Sequence, residues 1–259
     1  DVNLDDDADS YNELEILSSS ITNSKIMTGT KNGQLAIAQE NNNNRPASKV
    51  KLRNNNKITL MGEESVGIYA KRGEITNNDD ISIAKNSVGL YLTGVYLAED
   101  NRGTAAGKAY NNGLITLGEG SSGILYRAET TGSNAVLPGG IYNNGKIISA
   151  SKNTFGMNFE SPHGSKELVN GNAGQIELTG ENAVGMYATG SGNYNIKNLG
   201  KITVGSALSE NSPAIAIYTN SVNSMVENSG KITAGNKSLG IYGYSVNTGN
   251  TSNISLGNA

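Results

Sequence analysis

Few side chains in this sequence are suited to chemistry, and they are scattered. Asp79 and Asp80 are adjacent, and paired carboxylates can divide general-acid from general-base work. Their setting, ITNNDDI, is dense in turn-forming residues, so the pair predicts a turn. His163 is the single histidine, within ESPHGSKE. Without a second His or any Cys it cannot complete a typical zinc site, and a serine triad would have no other base to draw on. Asp5, Asp6, Asp7 and Asp9 suggest calcium at first sight. The run lacks the glycine at the sixth and the glutamate at the twelfth position that an EF-type loop requires, and it predicts a solvated acidic segment. No catalytic centre, metal site or cofactor is predicted, and the chain is expected to be non-enzymatic.

The richest mixture of charge lies in three long insertions, LTGVYLAEDNRGTAAGK over 92–108, RAETTGSNAVLPGG over 127–140 and FESPHGSK over 159–166. They bring Tyr96, Glu99, Asp100, Arg102, Arg127, Glu129 and His163, which are the candidate binding residues. Insertions that fall on one face of a repeat protein commonly build its binding surface. Tolerated surface variation remains an equal alternative at this point.

The elements that must carry these loops come from a repeat. The phrase YNNGLITLGEGSSGILY, from Tyr110 to Tyr126, recurs down the chain. Aligned on its central isoleucine it gives Ile58, Ile81, Ile115, Ile147, Ile176, Ile202, Ile232 and Ile254, at intervals of roughly 22 to 34 residues. A fixed theme with elastic spacing means stacked supersecondary units joined by loops of variable length. Each unit contains three short alternating segments. The first carries the isoleucine with an apolar or small residue two positions on. The second is the SVGIYA-like phrase, in which strict alternation predicts Val66 and Ile68 on one face, Gly67 and Tyr69 on the other.

The third segment carries Asn54, Asn77, Asn111, Asn143, Asn170, Asn198 and Asn228, each two residues after an apolar one. Two positions further come Asn56, Asp79, Gly113, Gly145, Gly200 and Gly230, with Gly174 displaced by a two-residue insertion. These types tolerate the left-handed backbone region and predict a corner. Three strands and a corner per unit predict an all-β, right-handed parallel β-helix of about eight coils. Stacking at about 4.8 Å per coil would set Asn on Asn as an amide ladder. The second segment would form a surface column of Tyr69, Tyr91, Tyr187, Tyr218 and Tyr242, interrupted at Leu125 and Asn158. A β-sandwich is disfavoured because its strands need not share residue types at matching positions. A left-handed trimeric roll is disfavoured by its shorter repeat. Residues 1–49 lack the motif apart from KNGQLAIA and are expected to form an N-terminal cap with a degenerate first coil, ahead of the repeats in 50–259.

Composition agrees. The 259 residues include 33 Gly and no Cys or Trp, with 36 % hydrophobic residues and a net charge of −3. A core must be assembled from small branched side chains used repeatedly. Lysines are scattered, leaving no nucleic-acid footprint. No apolar run is long enough to cross a bilayer as a helix. A chain that starts at Asp1 and stops within a repeat is expected to be a mature or excised piece of a longer protein.

The phrases LRNNNKITLMGEESVGIYAK, YNNGLITLGEGSSGILY and VENSGKITAGNKSLGIYG resemble passenger domains of large fusobacterial-type autotransporter adhesins, over about residues 50–259. The resemblance implies secretion through an outer-membrane barrel absent from this chain and display at the cell surface. It also implies adhesion to host-cell receptors, glycans or partner bacteria. It transfers no catalytic residue. The expected function is a monomeric, non-catalytic adhesin passenger binding through loops on a rigid shaft. A structural stalk, or less favourably a polysaccharide-active β-helix enzyme, is the alternative.

Overall fold

The computed structural model describes residues 2–5, 20–40, 51–71, 73–95, 107–129, 139–160, 165–190, 193–209, 212–221, 224–243 and 253–256. All regular structure among them is β-strand, paired in parallel and wound in the right-handed sense that parallel crossovers favour. Three flat sheets form a three-sided rod.

Sheet I has 9 strands, including Ile58–Leu60, Ile81–Ile83, Leu114–Leu117, Lys146–Ser149, Gln175–Leu178 and Lys201–Val204. Sheet II has 8, including Val66–Lys71, Val88–Val95, Ser122–Glu129, Phe155–Glu160, Val184–Thr189 and Ile215–Thr219. Sheet III has 9, including Lys51–Asn54, Glu74–Asn77, Lys108–Asn111, Gly139–Asn143, Ser165–Asn170, Asn193–Asn198 and Met225–Asn228. The chain passes from I to II to III and then climbs one coil.

About six coils, from Ile58 to Asn228, have all three strands covered by a neighbouring coil on both sides. This corrects the expected eight. Ile254, grouped by residue type with the first-strand isoleucines, pairs with Val226 in sheet III, while Leu256 falls in register with Asn228. The last strand of sheet I, Lys231–Ala234, is largely exposed, and the coil it forms with Leu239–Gly243 and Asn253–Leu256 is covered on one side only among the described residues. The described residues of 1–49 show no N-terminal cap, while the expected degenerate first coil at KNGQLAIA supplies a sheet II strand. Val2–Asn3 and Met27–Gly29 join sheet I, Ser20–Asn23 joins sheet III and Leu35–Glu40 joins sheet II, so these residues extend the rod. The rest of 1–49, including Asp6, Asp7 and Asp9, lies outside the described residues.

Like stacks on like in the core. Ile58, Ile81, Ile115, Ile147, Ile176 and Ile202 form one fully buried row facing a sheet II row of Ile68, Leu90, Ile124, Met157, Met186 and Ile217. Full burial of one such side chain stabilises by about 1.5–3 kcal/mol. Repetition replaces the bulky residues that the composition lacks.

In sheet II the pleat does not alternate as the sequence predicts. Val66 is half-buried, while Gly67 and Ile68 are both buried. The pairing also skips Gly67 and Gly89, joining Val66 to Val88 and Ile68 to Leu90. The glycine row therefore faces inward, beneath the isoleucines of the following coil, and not outward beside the tyrosines. A Cβ on Gly123 would stand 2.7 Å from Gly156 O and 2.8 Å from Ile147 Cγ2. Gly123→Ala is expected to cost about 1–3 kcal/mol through forced displacement of these neighbours. Denaturant unfolding would read this, and an unchanged midpoint would contradict the inward placement.

The left-handed corner is also elsewhere. Positive φ occurs at Gly33, Glu64, Asn86, Gly120, Asn153, Asn182 and Lys237 between sheets I and II, and at Gly190 between sheets II and III. The predicted corner between sheets III and I uses glycine for close approach instead, since a Cβ on Gly145 would lie 2.1 Å from Gly113 O. Beside the left-handed corner runs a second polar row. Ser87 N–H donates to Ser121 Oγ and Ser65 N–H to Ser87 Oγ, both at 3.0 Å and buried.

Candidate functional site

The three insertions leave the rod at the ends of sheet II strands and return at the starts of sheet III strands. Both ends are flush. Thr93 pairs with Arg127 and Val95 with Glu129 at the exits, and Arg127 pairs with Glu160. At the returns Lys108 pairs with Gly140, and Gly139 with Lys166. The insertions are shorter than the sequence predicts because strand pairing extends into their ends. Leu92 and Phe159, assigned to loops, are fully buried core residues.

Of the seven candidate binding residues, Arg127 is the one whose side chain is described. Its Nε donates to Glu160 Oε2 at 2.8 Å, and this bond holds the guanidinium above its ordinary value. Glu160 also accepts from Asn158 Nδ2 at 3.3 Å. Glu129 is described as backbone of Ser122–Glu129, while Tyr96, Glu99, Asp100, Arg102 and His163 lie outside the described residues.

Directly beneath these exits the core changes character. Tyr126 and Phe159 stack at 4.4 Å with planes 7° apart, and Tyr194 meets Phe159 edge-on at 5.4 Å. All three are buried, and burial pushes the Tyr126 hydroxyl far above its ordinary value. Tyr194 Oη donates to Thr189 O at 2.6 Å, which settles its polar end. These rings are the largest fully buried side chains of the rod. Sequence reasoning missed them: Tyr126 and Phe159 share one place in the sheet II phrase but recur in two coils only, and Tyr194 comes from sheet III.

On the return side a second aromatic pair was also missed, although YNNG occurs at both Tyr110 and Tyr142. The two rings stack at 4.8 Å on the outer face of sheet III. Tyr142 Oη donates to Glu167 Oε2 at 2.6 Å, and Lys108 Nζ lies 5.8 Å from the Tyr142 ring centre. Burial first, and the bond to Glu167 second, raise the Tyr142 hydroxyl well above its ordinary value.

The predicted tyrosine column lies on the outer face of sheet II in two pieces. Tyr69 and Tyr91 meet at 5.5 Å, tilted, while Tyr187, Tyr218 and Tyr242 stack at 5.0 and 5.6 Å. Leu125 and Asn158 fill the interval between the pieces, in register with Tyr91 and Tyr187.

The asparagines stand in one buried row. Nδ2 of Asn54, Asn77, Asn111, Asn143, Asn170 and Asn198 each donates to Oδ1 of the next asparagine at 2.6 to 2.9 Å. Asn23 extends the row by one, donating to Asn54 at 2.8 Å. An exposed row alongside, Asn55, Asn78 and Asn112, runs the opposite way, each later Nδ2 donating to the earlier Oδ1.

Among the described residues no group of three His, Cys, Asp or Glu side chains converges as a metal site. Asp79 Oδ1 accepts its neighbour Asp80's N–H at 2.7 Å, a local turn. Asp5 is lowered to about 2, chiefly by the Thr30 hydroxyl and then by the Thr30 N–H, and so fastens the first strand to the corner at Thr30–Gln34.

The family model described as the BigA third pectate lyase-like domain matches residues 98–257. The chain belongs to that family. No curated protein and no solved structure matches it.

Proposed function

We propose, from membership of this pectate-lyase-like family, that the chain is a passenger segment of a bacterial surface adhesin of the autotransporter type, displayed outside the outer membrane. It binds host-cell receptors, glycans or partner bacteria, and it performs no catalysis. The three insertions carry the contact, and the rod holds them at a distance from the cell. The observation that supports this most is the flush departure of three successive insertions from one edge, with ionic and aromatic side chains at their roots. Tyr96, Glu99, Asp100, Arg102, Arg127, Glu129 and His163 are the side chains assigned to the contact.

The test is adhesion of the purified chain to cultured cells and to a glycan panel, beside a variant in which 96–106, 130–138 and 161–164 are replaced by short Gly-Ser turns. Trimming inside these limits spares the buried Leu92 and the paired strand ends. The expected result is loss of adhesion, by about tenfold or more, with an unchanged unfolding curve. Adhesion that survives trimming would assign the chain to a stalk. Turnover of an acidic polysaccharide by the intact chain would assign it to an enzyme.

A further inference from the structure

The corner between sheets III and I is a tight stack in most coils, but one coil breaks it. Two extra residues, Asn172 and Ala173, push that corner outward, closed by Gly174 N–H donating to Gly171 O at 2.8 Å. Both inserted residues are exposed. A shallow open groove runs along the rod beside this bulge. Gly174, Gly200 and Gly230 line its floor, with Gln175, Lys201 and Lys231 along its side.

Strand register sets Gln175 beside Lys201 and Lys201 beside Lys231. Two ammonium-bearing side chains thus leave neighbouring strands about 4.8 Å apart. Like charges directly opposed across paired strands cost stability. The rod avoids that cost at other registered positions, where Lys51 meets Glu74, Arg127 meets Glu160 and Lys197 meets Glu227 as ion pairs. Glu177, which also lies on the outer face of sheet I, is engaged by Lys146 at 3.5 Å. Lys201 and Lys231 have no ion-pair partner among the described residues. The unneutralised pair thus coincides with a groove built by an insertion.

We propose that this groove binds a linear polysaccharide carrying carboxylate or sulfate groups, laid along the rod axis. Lys201 and Lys231 neutralise successive anionic groups. Asn172, Gln175 and Ser229, which also line the groove, supply amide and hydroxyl partners for sugar hydroxyls. The glycine floor admits the polymer close to the backbone. No aromatic ring lines the groove, so it lacks the stacking platform that holds single-stranded nucleic acid. With a net charge of −3, the chain does not attract polyanions by overall charge, and the attraction has to be local. The strand ends that flank the insertions lie between sheets II and III, a different edge of the rod, so this site is independent of the adhesive contact proposed above.

The test titrates the full chain with polygalacturonate, heparin and neutral dextran by calorimetry at two salt concentrations. The variant is Lys201→Gln with Lys231→Gln, and the charge-matched control is Lys85→Gln with Lys237→Gln. At least one acidic polymer is expected to bind, more weakly at higher salt, with dextran silent. The preferred polymer distinguishes carboxylate from sulfate. The groove variant should bind at least about tenfold more weakly and melt no lower than the parent, since a repulsion has been removed. The control should bind within about twofold of the parent, and the loop-trimmed chain should bind fully. Equal loss in variant and control, no loss in the groove variant, binding of neither acidic polymer, or equal competition by a single-stranded oligonucleotide would each overturn the proposal.

Discussion

Asn143→Leu is expected to destabilise the rod by about 2–4 kcal/mol, although leucine has the same side-chain heavy-atom count and branching as asparagine. Asn143 Oδ1 accepts from Asn111 at 2.9 Å, while its Nδ2 donates to Asn170 Oδ1 at 2.9 Å and to Gly145 O at 3.2 Å. Leucine would leave an Asn111 N–H and the Asn170 Oδ1 without those partners. Both residues are fully buried, so water cannot substitute. An unmade hydrogen bond costs about 1–3 kcal/mol for each group stranded in this way. Denaturant unfolding should show the loss. The comparison is Asn112→Leu in the exposed row, where Asn112 Nδ2 donates to Asn78 Oδ1 at 2.9 Å. That change should cost less than about 1 kcal/mol because water can take over. Equal effects of the two substitutions would contradict a structural role for the buried row.

Phe159→Ala is expected to cost about 3–5 kcal/mol, the largest effect of any substitution considered. The ring is fully buried between Tyr126 and Tyr194, and its loss leaves a cavity that two neighbouring rings cannot fill. In a stacked protein, stability is close to a sum over neighbouring coils. A cavity in a middle coil should therefore weaken the coupling between the two halves. The unfolding transition should broaden or split as well as shift. Adhesion should fall too, because Glu160 and Arg127 are anchored one position beyond Phe159 and Tyr126. A sharp transition at the parental midpoint would show that the stack contributes little.

The sequence disclosed the rows that recur in nearly every coil. Identical residues must recur wherever a side chain meets its own kind one coil above, so the isoleucine and asparagine rows were legible, and through them the parallel β-helix. Features set within a single coil were not. Gly67 turns inward because the strand is distorted there, and a rule of strict alternation places it outward. Glycine at the corner between sheets III and I answers a steric demand, which residue type alone cannot tell from a demand for positive φ. Glu64 and Lys237 adopt positive φ although their types give no hint of it. Ile254 was misassigned because NISL resembles a first strand, while its pairing partner Val226 lies in sheet III. At the candidate site, the insertions were visible as breaks in spacing. The aromatic support below them was not, because Tyr126 and Phe159 recur in only two coils and Tyr194 reaches them from another sheet.

The asparagine row has a direction as well as a stabilising role. Asn77, Asn111 and Asn143 each spend one Nδ2 hydrogen on the next coil and the other on a backbone carbonyl two residues on. A flipped amide would set its oxygen against that carbonyl, so these members are held in one orientation. From Asn23 to Asn228 the side-chain dipoles point the same way and polarise one another. The row is therefore a molecular wire of aligned dipoles, with its negative pole toward Asn23 and its positive pole toward Asn228. At the donor end Leu256 lies in register with Asn228 and stops the row, while at the other end Asn23 Oδ1 accepts the Lys25 N–H at 2.9 Å. The two ends of the row are therefore chemically distinct, an acceptor oxygen at one and a donor amide at the other.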